Sequence, residues 1–144
     1  MYEGRACVYR DLLDVVLCVS INDRAAELRG AQVGQTHEAR GAISGQRQRI
    51  ATFYATAPDC TSLGYLTLKL AKPPQHGQVS VEKGTAIAIF GKDDPRSACG
   101  GKEVPATVIY YTSKPGFIGA DSVAFDRIGV AGAYGYHIYT INVR

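Results

Sequence analysis

The cysteines and histidines are the side chains of this chain that most readily bind a metal, act as nucleophiles or form cross-links. No C-x-x-C pair and no Cys/His spacing of a zinc site occurs among them. A Cys60–Cys99 disulfide is the most economical arrangement, closing a loop of about 40 residues and stabilising the fold by roughly 4 kcal/mol. Such a bond persists only in an oxidising compartment, so it favours a periplasmic or secreted protein. Two buried free thiols in a cytoplasmic protein are the alternative, and the states of Cys7 and Cys18 stay open.

The carboxylates and hydroxyls give little indication of catalysis. Asp93 and Asp94 are the only adjacent carboxylate pair, and the cations beside them mark an exposed turn that makes a poor calcium site or acid–base pair. A Ser-His-Asp set could be drawn from Ser113, His137 and Asp121, but no G-x-S-x-G elbow accompanies it. The sequence therefore predicts a protein that is not an enzyme and has no cofactor or metal. A hydrolase-like enzyme using His137 is the less favoured alternative.

Composition places the chain among ordinary globular proteins of one domain. It has 144 residues, 46% of them hydrophobic and 20% charged, with a net charge of +3. The basic residues are scattered and form no stripe interleaved with aromatic residues, which argues against nucleic-acid binding. Sixteen glycines and nine tyrosines against no tryptophan favour a β-rich fold with many turns.

Short extended runs separated by turn residues fill the chain beyond Gln48. Their alternation predicts an all-β, immunoglobulin-like antiparallel sandwich of about seven strands over residues 48–144, with a small closed barrel as the alternative. A tight turn at Lys83-Gly84 is expected to separate the third run from the fourth. The runs are RIATFYATA, LGYLTLKLA, QVSVE, TAIAIF, TVIYYT, DSVAFDRI and YGYHIYTINVR.

The N-terminal third has a different character and is predicted to contain no strand. Residues 1–32 are interpreted as a leader and residues 33–47 as a linker. Three interpretations of the leader stay open: a degenerate export signal or mis-set start, an amphipathic helix over about 11–29, or a disordered leader. The apolar run from Leu12 to Ile21 is too short to span a bilayer.

A segment dense in turn residues, Tyr110–Phe125, is predicted to form a corner of the β-fold. Gly116 and Gly119 permit backbone angles closed to other residues. Phe117 can plug the open end of the sandwich. Asp121 can accept hydrogen bonds from backbone N–H groups of its own turn.

The corner and the preceding PPQHG turn together resemble the bacterial immunoglobulin-like, cadherin-like domain of exported and surface proteins. That family's pattern is P-x-x-G-x-V, then Y-x-P-x-x-G-F-x-G-x-D-x-F-x-Y, then a last alternating strand. The resemblance covers about residues 50–144, with Ser113 where the family has proline and with an insertion at Gly91–Glu103. The matching positions are Pro74, Gly77, Val79, Tyr111, Gly116, Phe117, Gly119, Asp121 and Phe125.

The resemblance implies a non-catalytic role, either binding a protein or glycan or serving as a structural module of the bacterial envelope. A cytoplasmic protein-interaction domain is the alternative. Tyrosine combines apolar area with a hydroxyl, so tyrosines on the strands form a candidate binding surface. An unpaired edge strand is a second candidate, for self-association or for a partner's strand. The tyrosines of the candidate surface are Tyr65, Tyr110, Tyr134 and Tyr136.

Overall fold

The computed structural model describes residues 5–9, 16–20 and 35–144. The chain divides into two compact units, Met1–Val33 and Gly34–Arg144. In the first unit β1 (Arg5–Tyr9) pairs antiparallel with β2 (Val16–Ser20), and Cys7 lies opposite Cys18. The prediction that this segment contains no strand is therefore wrong for these residues. Residues 16–20 are also not helical, and the rest of the helix interpreted at 11–29 lies outside the described residues.

The second unit is a sandwich of two sheets. One sheet has the order β3-β9-β8-β5 and the other β4-β7-β6. All pairs are antiparallel except β3 with β9, which is parallel. The strands are β3 (Gln35–Ala42), β4 (Arg47–Phe53), β5 (Thr67–Lys72), β6 (Gly77–Ile87), β7 (Glu103–Ser113), β8 (Gly119–Ile128) and β9 (Tyr134–Val143).

This strand order confirms the predicted immunoglobulin-like sandwich. One sheet contains β6, β7 and β4, which are the fourth, fifth and second strands of the domain. The other sheet contains β5, β8 and β9, the third, sixth and seventh strands, lying side by side. The first strand, β3, joins the sheet that contains the last strand, and this placement gives the single parallel pair. None of the described residues forms a helix long and apolar enough to cross a membrane.

The core lies between the two sheets and is built from alternate residues of each strand. Along β9, Tyr139, Ile141 and Val143 are buried on one face, and along β8 Val123 and Phe125 are fully buried, as their alternation predicts. Side chains from β3, β4 and β7 complete the same cluster.

Two strand assignments made from the sequence are wrong. The predicted linker at 33–47 contains β3, which pairs along its whole length with β9. The predicted turn at Lys83-Gly84 does not exist, because QVSVE and the first three residues of TAIAIF belong to one continuous strand, β6, which ends at Ile87. In β6, Gly84 lies opposite Ala106 of β7, and a Cβ added at Gly84 would lie 3.3 Å from the Val108 side chain. The glycine therefore serves packing instead of chain reversal.

The predicted Cys60–Cys99 disulfide is present in the structure. The two Cα atoms are 5.3 Å apart and the bond spans 39 positions. Cys99 ends a single 3₁₀ turn, Ser97–Cys99, and is completely buried. The bond therefore ties the long connection between β6 and β7 to the segment that follows β4.

Candidate functional site

The corner is organised around the carboxylate of Asp121 at the start of β8. The carboxylate is 5% exposed. It accepts backbone N–H bonds from Gln75 at 2.9 Å, His76 at 3.0 Å and Ser122 at 2.9 Å. It also accepts the Tyr111 hydroxyl at 2.8 Å. Burial alone would raise the pKa of Asp121, but these hydrogen bonds outweigh it and hold the pKa below its usual value.

Of these partners, only the Ser122 N–H belongs to the turn of Asp121 itself, as the sequence predicted. Only Ser122 lies next to Asp121 in the chain, whereas Gln75 and His76 belong to the connection between β5 and β6. The carboxylate therefore joins two segments about 45 residues apart. The PPQHG turn and the Tyr110–Phe125 segment therefore meet at this point.

Aromatic packing closes the same corner. The His76 ring stacks on Phe117, with centroids 4.1 Å apart and planes 7° from parallel. Phe117 packs against the core cluster. A Cβ added at Gly77 would lie 2.5 Å from the Thr112 carbonyl oxygen and 2.8 Å from the Tyr111 ring, so only glycine fits. Gly116 and Gly119 adopt φ angles of +81° and +138°, which favour glycine.

His137 is buried on the inner face of β9, at 8% exposure. Its Nε2 accepts a bond from Arg127 Nε at 3.0 Å, so Nδ1 carries the ring proton and donates to Thr36 Oγ1 at 2.6 Å. The Phe53 ring packs edge-on against the imidazole, with centroids 4.9 Å apart. Burial and the Arg127 charge lower the pKa of His137, which favours the neutral ring.

The structure does not assemble the hydrolase arrangement considered from the sequence. Asp121 lies opposite Ile141 in the β8–β9 pairing, four positions along β9 from His137, which is roughly 13 Å along an extended strand. The Asp121 carboxylate is occupied by four hydrogen bonds, and Ser113 Oγ accepts the Gly45 N–H at 2.9 Å. These three side chains therefore hold separate parts of the fold.

The loop that contains Asp93 and Asp94 also does not form a binding site. The Arg96 side chain bonds the Asp94 carboxylate at 2.8 and 2.7 Å, and this pairing lowers the pKa of Asp94 to about 2. Asp93 beside it is exposed. No group of three or more His, Cys, Asp or Glu side chains that could hold a metal occurs within the described part of the chain.

The four tyrosines proposed from the sequence do not share one surface. Tyr110 lies on the side of the three-stranded sheet that points away from the core. It lies beneath Arg47, whose guanidinium carbon is 3.6 Å from the ring centroid. Tyr65 precedes β5 and has the Lys83 ammonium 4.9 Å from its ring centroid. Tyr134 and Tyr136 share the outer face of β9, because they alternate with its buried residues.

Tyr134 and Tyr136 begin a surface that runs across β9 and β8, here called the outer face. Asp126 lies opposite Tyr136 and accepts the Tyr134 hydroxyl. Further along the same strands Ser122 lies opposite Thr140. A cavity of about 210 Å³ lies at that end, lined by Lys72, Gln75, Ala120, Asp121, Ser122 and Thr140.

Two of the predicted tyrosines, Tyr134 and Tyr136, lie at the aromatic end of the outer face, and the residues of its polar end were not among those predicted. Thr140 follows Tyr136 by four positions, so strand alternation alone places it on the same face. Lys72 and Gln75 reach the cavity only through the β5–β8 pairing and the bond to Asp121, which no local pattern shows.

Comparison with known proteins identifies no relative of this chain. It matches no protein-family model, no curated protein and no solved structure.

Proposed function

We propose that this protein is a non-catalytic binding module of the bacterial envelope, related to the bacterial immunoglobulin-like, cadherin-like domains, and that its ligand lies on the outer face. The observation that carries the proposal is the combination on one sheet face of aromatic side chains at one end and a polar cavity at the other. A structural role in the envelope is compatible with the same location.

An elongated glycan suits this combination better than a globular protein does. Tyr134 offers an aromatic surface beside the Asp126 carboxylate, a pairing that supplies stacking and a hydrogen-bond acceptor for sugar hydroxyls. The cavity near Thr140 supplies further hydroxyl, amide and ammonium groups. Tyr136 and Thr140 are four residues apart, roughly 13 Å along the strand, a span that a chain of several sugars can cover.

The Cys60–Cys99 disulfide supports an oxidising compartment. Intact mass of the protein from its native host, with and without reductant before alkylation, tests this assignment. We expect Cys60 and Cys99 to resist alkylation until reduced. Thiols that react without reductant would instead indicate a cytoplasmic protein-interaction domain.

Binding is tested with an array of bacterial envelope oligosaccharides, followed by calorimetry on any sugar retained. We expect Tyr134→Ser to weaken binding at least about tenfold, the loss typical of an interface anchor. Tyr65→Ser is the matched control, because Tyr65 and Tyr134 are 42% and 45% exposed but lie on different surfaces. Equal losses in both variants would place the ligand elsewhere, and retention of envelope proteins in place of sugars would favour protein binding.

A further inference from the structure

The free edge of β6 is the longest unpaired strand edge of the sandwich. β6 runs from Gly77 to Ile87 and pairs with β7 along its whole length, while no described strand pairs with its other side. Backbone N–H and C=O groups along such an edge can bond a further strand. Two apolar side chains of the strand are exposed, Val81 at 42% and Ile87 at 56%.

Symmetry restricts how β6 of one copy can pair antiparallel with β6 of a second copy. The twofold axis must stand perpendicular to the shared sheet, because antiparallel neighbours keep the same face on the same side. Residues that lie opposite each other are then both odd-numbered or both even-numbered. One residue of β6 lies on the axis, opposite the same residue of the second copy. The identity of that residue fixes the whole register.

Charge and exposure select one register. With Glu82 or Lys83 on the axis, like charges lie directly opposite, which is destabilising. With Val81 on the axis, the overlap ends at residue 85 and Ile87 stays outside the pairing. With Gly84 on the axis, Val81 of each copy lies opposite Ile87 of the other, so both exposed apolar side chains gain a cross-strand neighbour.

We propose that the protein self-associates through β6, antiparallel about a twofold axis at Gly84. Residues 81–87 of the two copies pair, with Lys83 opposite Thr85 and Glu82 opposite Ala86. The three-stranded sheets join into one sheet of order β4-β7-β6-β6-β7-β4. Because the axis keeps faces on the same side, the outer faces of both copies point in the same direction.

The proposed dimer through β6 is tested by sedimentation of the full chain over a concentration series up to about 1 mM, the range that detects weak interfaces. We expect a concentration-dependent dimer that Ile87→Lys and Val81→Lys each abolish. Ile118→Lys is the matched control, since Ile118 is 65% exposed but lies outside the strands. A monomer at every concentration, or a dimer that survives both β6 variants, would overturn the proposal.

The register is tested separately at Ala86, a position on the face of the pairing that Glu82 also occupies. Ala86→Lys places an ammonium opposite Glu82 of the second copy, twice by symmetry, and should tighten the dimer at least about twofold. Ala86→Glu should weaken it, with Ala86→Gln as the uncharged reference. Association that is unchanged or weaker in Ala86→Lys than in Ala86→Gln would overturn the Gly84 register.

Discussion

Asp121 is a buried carboxylate stabilised by hydrogen bonds, and among the described residues no cationic side chain forms an ion pair with it. Hydrogen bonds to a charged group contribute about 1.5–3 kcal/mol each, and Asp121 accepts four of them from three segments of the chain. It also holds the backbone of Gln75, and both residues line the cavity of the outer face.

We predict that Asp121→Ala lowers the free energy of unfolding by at least about 3 kcal/mol. The change leaves the buried Tyr111 hydroxyl and three backbone N–H groups, those of Gln75, His76 and Ser122, without their acceptor. Urea denaturation measures the loss. Asp93→Ala is the control, because Asp93 is exposed and its removal should cost less than about 0.5 kcal/mol. Equal stability of the two variants would show that the carboxylate does not hold the corner together.

His137 should make the stability of the protein fall as the pH decreases below about 6.5, its ordinary pKa in an unfolded chain. Its pKa is lowered in the folded state, whereas in the unfolded chain it is near 6.5. Below pH 6.5 the unfolded state therefore binds more protons, and stability falls as the pH decreases toward the lower, folded-state pKa. Protonation would also place an imidazolium beside Arg127, with Glu38 as the nearby opposing charge.

The measurement for His137 is the urea midpoint at pH 7.5 and pH 5.0, in the native protein and in His137→Gln. We expect the decrease in the native protein to be larger than in the variant. Asp121 does not interfere, because its pKa is lowered in the folded state, so its stabilising contribution is present above the unfolded pKa of about 3.9 and is lost only at lower pH. A decrease of the same size in both proteins would assign the pH dependence to other groups.

At the scale of the elements, the sequence pattern predicted the strands whose inward-facing residues are apolar and failed for the edge strand β3. β3 has the sequence QTHEARGA, and its inward positions Thr36, Glu38 and Arg40 are polar. Arg40 donates to the Ile50 carbonyl at 2.8 Å and pairs with Glu38, so its inward position depends on hydrogen-bond partners and not on an apolar side chain. A strand held by such long-range contacts carries no period-two apolar signal.

The turn assigned at Lys83-Gly84 failed for a related reason. Glycine marks both chain reversals and places where strands or side chains approach closely. The approach of Val108 to Gly84 comes from β7, about 20 residues later in the sequence. Gly77 is the stronger example of the same effect, since its neighbours are a backbone carbonyl and a buried ring.

Gly77→Ala should destabilise the connection between β5 and β6 by about 1–3 kcal/mol, the usual cost of overpacking. The added methyl would meet the Thr112 carbonyl oxygen at 2.5 Å, so β6 or β7 must shift. Gly41→Ala is the matched control, a strand glycine whose Cβ would have nothing within 4 Å. Thermal unfolding of both variants tests the prediction, which a stable Gly77→Ala protein would contradict.

At the scale of the whole molecule, the disulfide links the two long irregular segments of the sandwich. Cys60 lies between β4 and β5, and Cys99 between β6 and β7. The sequence could predict the pairing because no competing ligand spacing was present. It could not predict the 3₁₀ turn that buries Cys99.

Reduction should lower the free energy of unfolding by up to roughly 4 kcal/mol, the chain-entropy value for a loop of this size. Urea denaturation with and without dithiothreitol measures the change. Cys60→Ala combined with Cys99→Ala should reproduce the stability of the reduced protein and should not respond to dithiothreitol. A response that persists in this double variant would assign the effect to Cys7 and Cys18.

The parallel pairing of β3 with β9 also determines how the domain carries mechanical load. Gln35 at the start of β3 lies opposite Tyr136, and Ala42 at its end lies opposite Val143. Tension applied between residues 34 and 144 therefore pulls the two strands in opposite directions along their shared axis. Every hydrogen bond between them is sheared at once instead of being opened in sequence, so this strand pair acts as a mechanical clamp at the point where the domain would be stretched.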